Sequence, residues 1–414
     1  MENWAGNFSY GADRYHYPET VEQVQDLVSQ CNRVKTLGSR HSFNNIADSS
    51  GDIISLQQIK KPMVLDRYRQ TVTVCGGVRY GDLAEYINRE GYALHNMASL
   101  PHISVAGACA TATHGSGNGN LATAVSAMAI VKGDGSLVSL SREQEGVPFD
   151  GMVVSLGGLG VITSVTLDII PSFEMRQAVY ENLPVPSLID HFAEIMSSAY
   201  SVSLFIDWQS DVIDQVWLKQ GVGDGTLIPD TEWHGATPAP DHRHPIRSRP
   251  ADGCTLQMGI EGAWHEILPH FRLEYTPSHG EELQSEYFVP RENAVAAILA
   301  VMNLRQYIAP VIKISEIRSI TADSLWMSPC YGRDSVALHF TWQKDWAGVK
   351  QVLPMIESLL IPFGVRPHWG KLFTLSPRNL QMQYEKLADF RLLLKQYDPH
   401  GKFRNGFLDT YLYL

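Results

Sequence analysis

The stretch Ala98-Ser99-Leu100-Pro101-His102-Ile103-Ser104-Val105-Ala106-Gly107-Ala108-Cys109-Ala110-Thr111-Ala112-Thr113-His114-Gly115-Ser116-Gly117 decides how the chain is read. From Ala106 onward nearly every side chain is small, which lets the backbone approach another group closely. Two more turns of similar composition lie in the same half of the chain: Gly38-Ser39-Arg40-His41-Ser42 and Gly157-Gly158-Leu159-Gly160-Val161-Ile162-Thr163. Backbone N–H groups at such turns attract anions. Any one of the three is adequately explained as a structural turn. Together they fit a dinucleotide held extended between backbone turns. The usual phosphate fingerprints are missing, since Gly115-Ser116-Gly117-Asn118-Gly119 lacks GxGxxG spacing and no GxxxxGK[ST] occurs.

Working outward, Thr20 with Gln23 has the form of a capping box, and Val21, Val24, Leu27 and Val28 recur at helical spacing. A helix is expected from Thr20 to about Asn32. Strands are expected over 34–37, 53–56 and 71–75, a helix over 82–89, and a hairpin joining 127–131 to 137–140 through Asp134-Gly135. A further strand is expected over 165–170. This mixture indicates an α+β fold. Beyond residue 172 apolar strands alternate with amphipathic helices, interrupted by a Pro-rich polar loop from Pro229 to Pro250.

A chain of 414 residues suits two domains. Its 33 basic and 44 acidic residues leave a net charge of −11, which argues against a nucleic-acid backbone as partner. Cys31, Cys75, Cys109, Cys254 and Cys330 are odd in number and contain no CxxC, so they read as buried thiols in a reduced compartment. The opening Met1-Glu2-Asn3-Trp4 has no basic n-region followed by an apolar run, so no signal peptide is expected, and no run reaches membrane-span length. A cytoplasmic monomer with no membrane partner is the expectation.

Two segments carry polar chemistry at strand spacing. In 312–320 Glu316 and Arg318 share one face, and in 336–342 His339 and Thr341 do so. If the strands are neighbours, a carboxylate, a guanidinium, an imidazole and a hydroxyl converge on a wall suited to a polyhydroxylated substrate. The competing reading is an exposed strand face with a Glu–Arg cross-pair. His242-x-His244 reads as solvated loop, giving no metal site. Trp208, Trp264 and Phe340 read as core or pocket wall.

The motifs Gly38-Ser39-Arg40-His41-Ser42-Phe43-Asn44, Ala98 to Gly107, Thr111-Ala112-Thr113-His114-Gly115-Ser116-Gly117 and Asp398-Pro399-His400-Gly401-Lys402-Phe403 together resemble the vanillyl-alcohol-oxidase-type FAD family, and within it the alditol oxidases. The resemblance runs from Asn3-Trp4-Ala5-Gly6-Asn7 to Phe407. It implies an FAD-binding domain over 1–172, a substrate domain built on an antiparallel sheet over 173–370, and a C-terminal segment, 371–414, returning to the first domain. It implies FAD linked through its 8α carbon to His41, where an isolated turn histidine would otherwise read as a solvated or capping side chain. It also implies cofactor contacts from Leu37, Gly38, Ser39, Arg40, Ser42, Ser99, Ser104, Gly107, Thr111, Thr113, His114, Ile162 and His368. The family's first turn often has glycine before the histidine, where this chain has Arg40. Substrate binding falls by the same resemblance to Ser99, Glu316, Arg318, Thr341 and Lys371. Proton transfer is assigned to Lys371 with His339. The expected activity is oxidation of an alditol's terminal hydroxyl, with O2 reduced to H2O2. Oxidation or dehydrogenation of a sugar 1,4-lactone is the alternative.

Overall fold

The computed structural model describes residues 1–224, 231–275 and 280–413 of the chain. The first helix, α1 (Val21–Gln30), buries Val21, Val24 and Val28, as the 3.6-residue spacing requires. Thr20 accepts from the Gln23 N–H at 3.2 Å. The Gln23 side chain accepts from the N–H of Glu19 at 2.7 Å rather than from that of Thr20, so the box closes one residue early. Beside α1 lies a parallel three-stranded sheet of Arg14–His16, Asp52–Ile54 and Val34–Thr36. A second, five-stranded antiparallel sheet is built on Thr71–Cys75, Val161–Asp168 and the hairpin Val125–Val131 with Leu137–Ser141. The strand after the third glycine-rich turn therefore starts four residues earlier than expected, since Val161 already pairs with Val131. The small-residue stretch forms a short helix over Val105–Ala110, with Val105 and Cys109 packed into the core.

The larger sheet has nine strands, every pair antiparallel. Its centre is formed by β1 (Ser201–Ile206), β2 (Val212–Gly221), β3 (Leu283–Pro290), β4 (Ile312–Ile320) and β5 (Ser335–Trp342). They lie side by side in the order β2-β1-β4-β5-β3. Alternation gives the sheet two different faces. Tyr287, Ile317, Leu338 and Phe340 enter one apolar core with the helices Ala294–Met302 and Trp346–Leu360. Glu286, Glu316, Arg318, His339 and Thr341 point the other way.

The chain's last segment packs back onto the first. Phe390, Leu394, Phe407 and Leu408 join the core that holds Val72, Leu83 and Ile87, while Phe403 packs against Val24 and Val28. The Val34 N–H donates to the carbonyl of Lys402 at 2.9 Å. Trp208, Trp264 and Phe340 are all core. Of the Pro-rich loop, residues 229–230 lie outside the described residues.

Candidate active site

One cavity of about 830 Å³ runs between the glycine turns and the polar face of the large sheet. Leu37, Gly38, Ser39, Arg40, His41 and Ser42 line one side. Ser99, Ser104, Gly107, Thr111, Thr113 and His114 line the next, with Ile162 and Gly157 beyond them. Ser104 donates its N–H to the Ser39 hydroxyl at 3.2 Å, which couples the first turn to the small-residue stretch. A Cβ on Gly38 would collide with the Ser104 hydroxyl, which would have to turn away for the two segments to meet as closely. Arg40 takes the left-handed φ of +64°, a conformation that glycine reaches without strain. Its carbonyl accepts from the Trp4 N–H at 2.8 Å and its guanidinium donates to the Glu2 carbonyl at 3.3 Å.

His41 stacks on Trp4 with ring centroids 4.5 Å apart and an interplanar angle of 22°. Both of its ring nitrogens are shielded from solvent and lack a hydrogen-bond partner. Burial, reinforced by Lys371, draws its pKa down to about 3. Such unmatched nitrogens are costly in a finished fold, and a group attached at this ring would remove the deficit. The glycine-floored cavity and the orphaned imidazole both fit an FAD.

Facing these turns is the polar wall. Antiparallel pairing sets Glu316 of β4 directly opposite His339 of β5, and His339 opposite Glu286 of β3. Arg318 donates to Glu286 at 2.6 Å and to the Ser99 hydroxyl at 3.3 Å, and its Nε lies 3.5 Å from Glu316. Glu286 also meets His114 Nε2 at 3.1 Å and His339 Nδ1 at 3.5 Å. The neighbouring imidazoles and the Arg318 guanidinium hold Glu286 well below the usual carboxylate range in spite of its burial. His339 Nε2 lies 3.2 Å from the Thr341 hydroxyl, and burial lowers the pKa of its ring. Lys371 rests over the Phe43 ring at 5.0 Å and donates to Gln284; burial brings its ammonium down to about 8. The segment carrying it is tied to the His41 turn. Asn44 donates to the carbonyls of Trp369 and Lys371, each at 2.8 Å, and Phe43 N–H to that of Gly370 at 2.7 Å. His368 lines the same cavity, its Nδ1 accepting from the Gly370 N–H at 3.0 Å, and burial lowers it to about 3.

Residues 12–141 match the family model described as FAD binding domain, and residues 279–411 match that described as D-arabinono-1,4-lactone oxidase. The chain is 46% identical over 413 residues to the alditol oxidase of Streptomyces sp. (strain IKD472 / FERM P-14339), covering 99% of this chain and 98% of that one. The chain belongs to the alditol oxidase family. It is an FAD-dependent oxidoreductase with the two-domain FAD-binding fold. More distant relatives of this alditol oxidase family member include the L-gulonolactone oxidase of Mus musculus, 24% identical over 100% of this chain and 98% of that one. The crystal structure of cholesterol oxidase from B. sterolicum superposes with a TM-score of 0.79 at 14% identity, over 99% of this chain and 96% of that one, and shows the same fold. Among the described residues no helix is long and apolar enough to cross a membrane.

Several residues of this alditol oxidase family site were not singled out from sequence. Glu286 and Gln284 alternate with Tyr287 and Leu283 on β3, a periodic signal that a fuller strand reading would have caught. His270 lies on an aperiodic loop; its Nε2 meets Glu316 at 2.7 Å, and its N–H donates to the Ser99 carbonyl at 3.1 Å. His244 corrects the reading of a solvated loop. It is 6% exposed and lines the cavity, because its carbonyl accepts from the buried Gln215 at 2.9 Å and its Nδ1 from the Ile246 N–H.

Proposed function

We propose that the cavity receives a sugar alcohol against the β3–β4–β5 wall and that the enzyme oxidises its terminal CH–OH to the aldose. The observation that carries this reading is the convergence of Glu316, Arg318, Thr341 and His339 on one buried face, with Ser99 and Lys371 closing its edges. A polyol presents a donor and an acceptor at every carbon, so it needs both kinds of partner at fixed spacing. A buried partner left unmatched costs about 1–3 kcal/mol. Glu316 supplies acceptors, Arg318 and Lys371 donors, Ser99 and Thr341 either.

FAD, when bound, supplies the hydride acceptor and passes two electrons to oxygen, so that alditol and O2 become aldose and H2O2. Leu37 to Ser42, Ser104, Gly107, Thr111, Thr113, His114, Ile162 and His368 hold it, with Ser99 at the border between cofactor and substrate. His41 would carry the covalent link to its 8α carbon. Residues 1–172 and 371–414 form the cofactor domain and 173–370 the substrate domain.

The hydroxyl proton leaves to the chain. His339 turns Nδ1 toward Glu286, which leaves Nε2 as an acceptor beside Thr341. Lys371, with its pKa near 8, is a base of suitable strength within the same pocket. Glu316, Arg318 and Ser99 meanwhile fix the rest of the chain and hold the reacting carbon in place.

The sugar 1,4-lactones are the second reading, favoured by the match of residues 279–411 to a lactone oxidase model. A panel of xylitol, sorbitol and aldono-1,4-lactones with peroxide detection separates the two. Turnover of the alditols with peroxide release supports the first reading, and turnover of lactones alone replaces it.

A further inference from the structure

We propose that Lys219, which does not line the cavity, is a positioning residue for substrate recognition: through His270 it fixes the carboxylate of Glu316 in the orientation that receives a polyol. The inference rests on the polyol reading of the wall.

Lys219 projects from β2, two strands away from Glu316, and is fully buried. A buried ammonium is tolerated when each N–H finds an acceptor. Here all three do, and all three acceptors belong to one turn: the carbonyls of Leu268 at 2.6 Å and Pro269 at 2.8 Å, and Nδ1 of His270 at 3.0 Å. Among the described residues Lys219 makes no ion pair. It therefore does not neutralise a carboxylate by direct contact.

An ammonium donates and never accepts. Its contact with Nδ1 therefore forces that nitrogen to accept, and places the proton of a neutral His270 ring on Nε2. Nε2 points at Glu316 Oε1, 2.7 Å away. With the other tautomer, a lone pair would face the carboxylate and Glu316 would turn away. Phe205 and Trp217 pack edge-on against the imidazole with ring centroids 5.6 and 5.2 Å away, so the ring has no freedom to flip. Among the described residues Glu316 has one other ion-pair partner on the wall, Arg318 Nε at 3.5 Å, and the His270 contact is the shorter. Burial draws Lys219 down to about 7, opposed by Glu316 and Cys254 and reinforced by Arg318. The protonated form, with three donors for three acceptors, completes the set.

The test is a mutant cycle on the FAD-loaded enzyme at pH 6, where Lys219 keeps its third proton, reading KM and kcat for xylitol. Lys219→Met is expected to raise KM on the order of tenfold, the effect of about one mispositioned hydrogen bond, with a smaller change in kcat. In a Glu316→Ala background the same change adds nothing to KM, whereas in a Thr341→Val background it adds its full factor. An unchanged KM in Lys219→Met, or an equal rise in the Glu316→Ala background, overturns the proposal. If Lys219→Met fails to fold, the comparison of His270→Gln with His270→Leu decides. Glutamine restores a donor toward Glu316 and should retain affinity that leucine loses, and equal losses overturn the proposal. A wild-type enzyme that oxidises lactones and no polyol refutes the functional reading on the first assay. The cycle run on the lactone then still decides the role of Lys219.

Discussion

Lys371 and His41 each stand in a position that ordinary solvated side chains do not occupy. Lys371 is pressed against Phe43 and surrounded by Glu286, Arg318, Glu282 and Glu316, and burial outweighs the acidic neighbours to leave its pKa near 8. As the base, it acts in its neutral form, which accumulates as pH rises through about 8. The ratio kcat/KM for an alditol should therefore climb across that pH and level above it. Lys371→Met should abolish reduction of the bound flavin without releasing it, and full activity would remove Lys371 from the mechanism. For His41 the orphaned nitrogens make a separate prediction. Acid-precipitated wild-type protein should retain its yellow colour and His41→Ala should lose it; flavin released completely from the wild type would disprove the covalent bond.

The antiparallel strands β3, β4 and β5 put the polar wall together. Glu316, Arg318, His339 and Thr341 were legible because each alternates with a buried apolar neighbour, and β4 and β5 do pair. Glu286 was not singled out, although it alternates with Tyr287 along β3 and pairing makes it the hub of the wall. Lys219 shares a face with Gln215 and Trp217, a pattern that reads as solvent-exposed. It is buried because the 268–271 turn covers it, and no periodicity announces a covering loop. Glu286 also makes β3 vulnerable. Its carboxyl pKa is depressed, so its stabilisation is present above the ordinary carboxylate pKa and is lost as pH falls through the lower folded value. Glu286→Ala leaves Arg318 buried without its closest partner and should cost about 3–5 kcal/mol in urea unfolding. A loss below about 1 kcal/mol would show that the wall relaxes without it.

At the scale of the whole molecule, the cofactor side is closed by a chain that leaves and returns. Lys35 on the strand Val34–Thr36 donates to Leu156 at 3.3 Å, Gly157 at 2.8 Å and Phe403 at 3.3 Å, joining the third glycine turn to the C-terminal segment. Lys35→Met strands these carbonyls and should lower stability by about 1–3 kcal/mol, with a parallel loss of bound FAD on purification. A variant with normal flavin content would detach the C-terminal segment from cofactor binding. Phe403, within the closing Asp-Pro-x-Gly-Lys-Phe motif, packs against Val24 and Val28, whereas the anchor on Lys35 left no sequence signal, because a lysine in a three-residue strand carries no sign of its partners. The proposed reaction joins both halves: a polyol held on the β3–β5 wall would be oxidised by the flavin beside His41. Mixing the enzyme with xylitol under anaerobic conditions, while following the visible flavin absorbance, tests it most directly. Bleaching is expected, with formation of one aldose per flavin. A spectrum untouched by xylitol and sorbitol, but bleached by an aldono-1,4-lactone, would contradict it.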